Sequence, residues 1–139
     1  MTFRQSTFRL IAKVAIAAGT MAALVGCGDP KYQAPAITIA FSQGFVPPAS
    51  LNTGAYAGIA ATETNDPQNA GASFSCTPVG VCGTFVGPGG ASGVPFCYLA
   101  PDSVPPGNNV TIIATARSDT TKSVSATITI VDGPPNPCP

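Results

Sequence analysis

The most regular alternation of apolar and polar positions lies towards the C-terminal end. Val110, Ile112, Ala114 and Ala116 recur with a period of two, and Val124, Ala126, Ile128 and Ile130 repeat the pattern, with threonines and serines filling much of the intervening set. A period of two puts alternate side chains on one face of an extended chain, so 110–116 and 124–131 are predicted strands. The polar stretch RSDTTKS between them is a connection of hairpin type. Upstream the signal is shorter. Ile37, Ile39 and Phe41 share one face of 36–41, and Ala55, Ala57, Ile59 and Ala61 share one face of 55–64. That second stretch is alanine-rich, but Gly54, Gly58 and Asn65-Asp66-Pro67 argue against a helix. Residues 72–76 (with Phe74), 83–86 and 94–99 complete the set. Residues 45–54, with Pro47, Pro48 and Gly54, read as a bend across which Leu51 packs inward. Residues 65–71 are a polar turn, and GPGGASG at 87–93 is loop. Residues 100–109 must leave the sheet, because Pro101, Pro105 and Pro106 cannot donate to a central ladder. Six or seven short strands with no helical period after residue 26 predict an all-β chain folded as an antiparallel β-sandwich.

The N-terminal pattern is different. Arg4, Arg9 and Lys13 precede VAIAAGTMAALV at 14–25, and no acid interrupts them. A positive flank before a short apolar core is the layout of a secretory signal. Its 12 uninterrupted residues fall short of the roughly 20 a membrane-spanning helix needs, and extension backwards would bury Lys13. Leu24-Val25-Gly26-Cys27 resembles a bacterial lipobox, the signature of lipoprotein precursors. The resemblance implies diacylation of the Cys27 thiol, cleavage after Gly26 and acylation of the new amino group. The chain would then be exported and held at a membrane by its N-terminal lipid, stably because two or three acyl chains are involved. Gly28 in place of an aspartate favours the outer membrane if the host is Gram-negative. An ordinary signal peptide, with Cys27 free for a disulfide, is the competing reading. The expected division is a signal at 1–26, a lipidated tether at 27–35, a sandwich at 36–131 and a proline-rich tail at 132–139.

Composition narrows the chemistry. Beyond residue 26 the chain keeps Lys31, Arg117 and Lys122 against six acids, a formal net charge of −3. It has no basic stripe for a phosphate backbone, so nucleic acid is not an expected partner. There is no histidine, which removes histidine-based triads and zinc hydrolase sites. Glu63, the single glutamate, and Asp66 fall on a predicted turn where solvated acids are expected. Asp66, Asp102, Asp119 and Asp132 lack the dense oxygen pattern of a calcium loop. Gly87-Pro88-Gly89-Gly90 lacks the lysine of a phosphate loop. No catalytic residue, cofactor or metal site is expected.

With Cys27 acylated, Cys76, Cys82, Cys97 and Cys138 remain, an even number suited to an oxidising compartment. They permit three complete pairings. Successive gaps of five, fourteen and forty residues match neither the Cys-x-x-Cys of thiol exchange nor the close ligand pairs of structural zinc.

The stretches ITIAF, GASFSCTPVGVCGTF and CYLAPDSVPPGNNVTIIATARSDTTKSVSATITI resemble a bacterial immunoglobulin-like domain of the kind found in exported and surface proteins. The likeness spans about residues 36–131. Tyr98, Ala100, Pro101, Val104, Pro105 and Gly107 match its strand-exit segment, and Asp119, Thr121, Lys122 and Ser123 its final hairpin. The resemblance implies an immunoglobulin-like sandwich of about seven strands and a Cys76–Cys82 bridge closing the loop after the third strand. Pro78 and Gly80 let that loop turn back. Cys97 and Cys138 are then left to staple the tail. Phe74 stands where the family often has tryptophan, Cys97 and Cys138 are additions, and one module replaces the usual array. The functional expectation is a lipid-anchored, noncatalytic envelope module for adhesion or for binding a protein or polysaccharide. The alternative is a structural accessory subunit of an envelope assembly. A small secreted hydrolase is the weakest reading, since it would need aligned carboxylates or a Ser–Lys pair.

Overall fold

The computed structural model describes residues 33–136, which are almost entirely extended. Nine strands follow one another: β1 (Thr38–Phe41), β2 (Ser50–Asn52), β3 (Tyr56–Ile59), β4 (Ala61–Thr64), β5 (Ala72–Thr77), β6 (Thr84–Val86), β7 (Phe96–Leu99), β8 (Asn109–Ala116) and β9 (Ser123–Val131). They form a four-stranded sheet ordered β2-β9-β8-β5, a three-stranded sheet ordered β3-β7-β6 and the pair β1-β4. A 3-10 turn at Pro106–Asn108 carries the chain out of the sheets, as the prolines of 100–109 require.

The expected strands are present, with one break and one addition. β3 and β4 are one predicted strand broken at Ala60. That residue keeps its backbone satisfied by donating to the Phe45 carbonyl at 3.1 Å and accepting from the Ser42 N–H at 2.9 Å. β2 lies inside the predicted bend and runs parallel to β9, with Leu51 opposite Ile130. The sandwich is therefore not wholly antiparallel. Pro47 and Pro48 lack the N–H that would continue the β1 ladder. The chain leaves β1 there and rejoins beside β9, travelling in the same direction as β9.

The alternating apolar residues meet where the pattern places them. Val110, Ile112, Ala114 and Ala116 of β8 are fully buried, as are Ile128 and Ile130 of β9. Val110, Ile112, Ile128 and Ile130 pack with Ile59 of β3 and Tyr98 of β7 in one core, and Phe41, Leu51, Phe74 and Phe85 close around it. The two layers thus belong to a generic β-sandwich. A smaller cluster, Ala61, Ala72 and Ala114, lets the layers approach closely at one end. Gly71 sits beside it with φ of 74°, and a Cβ there would lie 1.9 Å from the Gly90 carbonyl oxygen. On the outside of the four-stranded sheet, Ser73, Ser75 and Thr77 of β5 align with Thr115, Ile113 and Thr111 of β8 and with Ser123, Ser125 and Thr127 of β9.

Candidate functional site

Cys76 ends the inward-facing series of β5, two residues beyond Phe74. It is bridged to Cys82, with the Cα atoms 5.8 Å apart. The closed loop holds a cis Thr77–Pro78 bond and exposes Val79 and Val81. Beneath it Tyr98, on the middle strand of its sheet, is fully buried and donates its hydroxyl proton to the Cys82 carbonyl at 2.5 Å. Burial pushes the Tyr98 pKa up to about 12, because the apolar core disfavours the phenolate. The tyrosine therefore acts as a neutral donor that fixes the bridge loop to the core. Its ring lies 5.3 Å from that of Phe85, and Phe74 meets both Phe85 and Phe96 at 5.6 and 5.3 Å. Phe74 thus anchors an aromatic cluster between the layers.

The outer face of the three-stranded sheet carries a shallow apolar groove of about 230 Å³ lined by Phe45, Gly58, Val86, Pro88, Phe96 and Cys97 among others. Gly58, Cys97 and Val86 form one cross-strand row on its floor. Phe45 lies over Gly58, where an added Cβ would come within 3.3 Å of its ring. Cys97 is disulfide-bonded, and its partner lies outside the described residues. Cys27 and Cys138 also lie outside them, so lipidation and the Cys97–Cys138 pairing are not reached by this geometry.

Glu63 departs from expectation. It is on β4, inside the stretch 55–64 predicted as strand, and is not the solvated acid expected there, since only 7% of its surface is exposed. Its carboxylate accepts the Arg117 backbone N–H at 2.7 Å and the Ser118 hydroxyl at 2.6 Å, and its own N–H donates to the Ser92 hydroxyl at 3.2 Å. Two segments distant in sequence, at Ser92 and at Arg117–Ser118, therefore converge on it, which sequence spacing does not reveal. Asp66 does sit in the turn. Desolvation tends to raise its pKa, but N–H donors from Ala70 and Gln68, with Glu63 and Asn69, outweigh that and hold it below the ordinary 3.8. Asp119 is likewise lowered, chiefly by the Thr121 hydroxyl and N–H.

Among the described residues no three of His, Cys, Asp and Glu come together as metal ligands, and no helix is long and apolar enough to cross a membrane. Asp102 and Asp132 both approach the Thr53–Gly54 turn without a third acid. What the described surface offers is an apolar groove and a charge-free bridge loop on a rigid all-β frame, an arrangement suited to binding or support. No family model matches the chain, and neither a curated protein nor a solved structure matches it.

Proposed function

We propose that this chain is a lipid-anchored, noncatalytic module of the cell envelope, immunoglobulin-like in fold, that binds a protein or polysaccharide partner. The observation that carries the fold reading is the strand order. In the constant-type immunoglobulin sandwich, strands A, B, E and D form one sheet and C, F and G the other. With β1, the β3–β4 strand, β5, β6, β7, β8 and β9 taken as A to G, β1-β4 with β3-β7-β6 corresponds to A-B-E-D, and β5-β8-β9 corresponds to C-F-G. β2 is then an extension of A, and seven principal strands remain. The anchoring reading is supported by LVGC at 24–27 behind its apolar core. The binding reading is supported by the apolar groove under Phe45. Fold alone assigns no partner.

The test is nonreducing intact mass with thiol alkylation on protein extracted from its membrane fraction. A chain beginning at Cys27, carrying acyl mass and no free thiol, is the expected product. An unlipidated chain with a free or intermolecularly paired cysteine would remove the anchor from the proposal. Direct retention on a polysaccharide or a purified envelope protein, lost in Phe45→Ser, then tests the groove. A membrane protein recovered at fixed stoichiometry, and unaffected by Phe45→Ser, would assign the domain to an assembly instead.

A further inference from the structure

Sheet edges expose unpaired N–H and C=O groups, and chains blunt them with short strands, charges, prolines or covering segments. Most edges here are managed in that way. β2 and β6 have three residues each. The outer side of β3 is covered where the Tyr56 N–H donates to the Asn136 carbonyl at 3.0 Å, and that of β4 where the Gly93 N–H donates to Ala61 at 2.9 Å. β5 is different. It has six residues, ends its sheet and carries neither proline nor charge. Indeed no charged residue occurs from Pro67 to Pro101.

The register identifies which groups are open. The Arg117 N–H donates to the Gly71 carbonyl at 2.9 Å, so Ala72–Ala116 is a wide pair and Ser73, Ser75 and Thr77 make the ladder bonds to β8. Ala72, Phe74 and Cys76 therefore point their backbone groups away from the sheet. Among the described residues Ala72 alone finds a partner there, the Gly90 carbonyl at 2.9 Å. The surroundings are apolar. Phe74 and the rings it meets, Phe85 and Phe96, are only half-buried, and Val79 and Val81 of the bridge loop are exposed.

We propose that two copies of the chain associate through β5, pairing antiparallel about a twofold axis at Ser75. Phe74 of each copy then exchanges both backbone hydrogen bonds with Cys76 of the other, four bonds in all, and the two four-stranded sheets become one. An isologous contact of this kind needs a self-complementary surface. A neutral edge with two open residues spaced symmetrically about Ser75, flanked by apolar side chains, meets that need. A second copy fits better than a charged partner because nothing on this edge selects charge. The inference does not depend on the envelope-binding reading, since it rests on β5 alone.

Native mass spectrometry of the full chain in detergent, over a concentration series, tests it through a charge swap. Ser75 is exposed on the outer face, and at the axis it would face its symmetry mate as a closely spaced wide pair. Ser75→Lys and Ser75→Glu should each weaken the homodimer by on the order of tenfold or more, because like charges then stand directly opposite. Mixing the two variants should restore a dimer, now heteromeric. A cooperative unfolding transition with an unchanged midpoint in each variant checks that both are folded. Hydrogen exchange on the unmodified chain supplies an independent reading, in which the Phe74 and Cys76 amides slow as concentration rises. A chain monomeric up to about 1 mM, a dimer indifferent to both charges, or a mixture that stays monomeric would overturn the proposal. So would a dimer in which those two amides exchange as fast as in the monomer.

Discussion

The Glu63 carboxylate accepts the backbone N–H of Arg117 at 2.7 Å across 54 positions of sequence. The same N–H also donates to the Gly71 carbonyl at 2.9 Å, so three chain segments meet at one proton where β8 ends. The second carboxylate oxygen takes the Ser118 hydroxyl, which fixes the start of the β8–β9 connection. A buried acid thus substitutes for sheet pairing at a point where the ladder stops.

Glu63→Ala removes both acceptors and leaves the Ser118 hydroxyl and part of the Arg117 N–H without a partner. The expected loss is about 2 kcal/mol of stability, read as a lower denaturant midpoint. Glu63→Gln keeps one acceptor and should lose less than half as much. Equal losses in both variants would mean that the charge, rather than the hydrogen bonds, carries the effect.

Removing the short bridge acts mainly on the unfolded chain. The Cys76→Ser/Cys82→Ser double variant should lose about 2 to 3 kcal/mol in the loop-entropy model, with the Cys97 disulfide left in place. Replacing both cysteines avoids a stray thiol. The check is a chemical unfolding curve under nonreducing conditions, where an unchanged midpoint would show the loop to be held by Tyr98 and the aromatic cluster alone.

How far the sequence discloses these features depends on the distance over which each is determined. β8 and β9 are legible because their period of two is long and their inward residues are branched and apolar. Val110, Ile112, Ile128 and Ile130 are all in the core. β2 is not legible. Its three residues carry no period, and its partner is the last strand of the domain, in parallel register. The break at Ala60 is equally hidden, since its hydrogen bonds go to Ser42 and Phe45. Glu63 reads as a surface acid because burial of a carboxylate depends on donors far away in the chain. The Cys76–Cys82 pairing is legible because its loop is local, with a sequence separation of 6. The groove under Phe45 is not, because its lining comes from the turn after β1 and from β3, β6 and β7.

Acid should expose the role of the Asp66 turn. Its folded pKa lies below the ordinary 3.8, so the unfolded chain binds the proton first as pH falls. The stability it contributes is present above about pH 4 and is lost as pH drops through the lower folded value. Asp66→Asn should lower stability at neutral pH and flatten that acid dependence. Parallel acid curves for the variant and the unmodified chain would assign the dependence to Asp119 or to other carboxyls.

At the alkaline end the sign reverses for Tyr98. Its folded pKa is about 12, against about 10 for an unfolded tyrosine, and the neutral phenol is the form the core accepts. Below about pH 10 both states keep the proton, and the contribution to stability is complete. Between about pH 10 and 12 the unfolded chain ionises while the folded one does not, so stability falls with rising pH. Tyr98→Phe should abolish that decline. It should also lower stability at neutral pH by about 1 to 3 kcal/mol, because the Cys82 carbonyl loses its donor inside the core. Unfolding midpoints measured across this pH range for both chains, alongside tyrosinate absorbance of the folded protein, separate the two effects. A decline that persists in Tyr98→Phe would place the alkaline sensitivity elsewhere and leave Tyr98 with a packing role only.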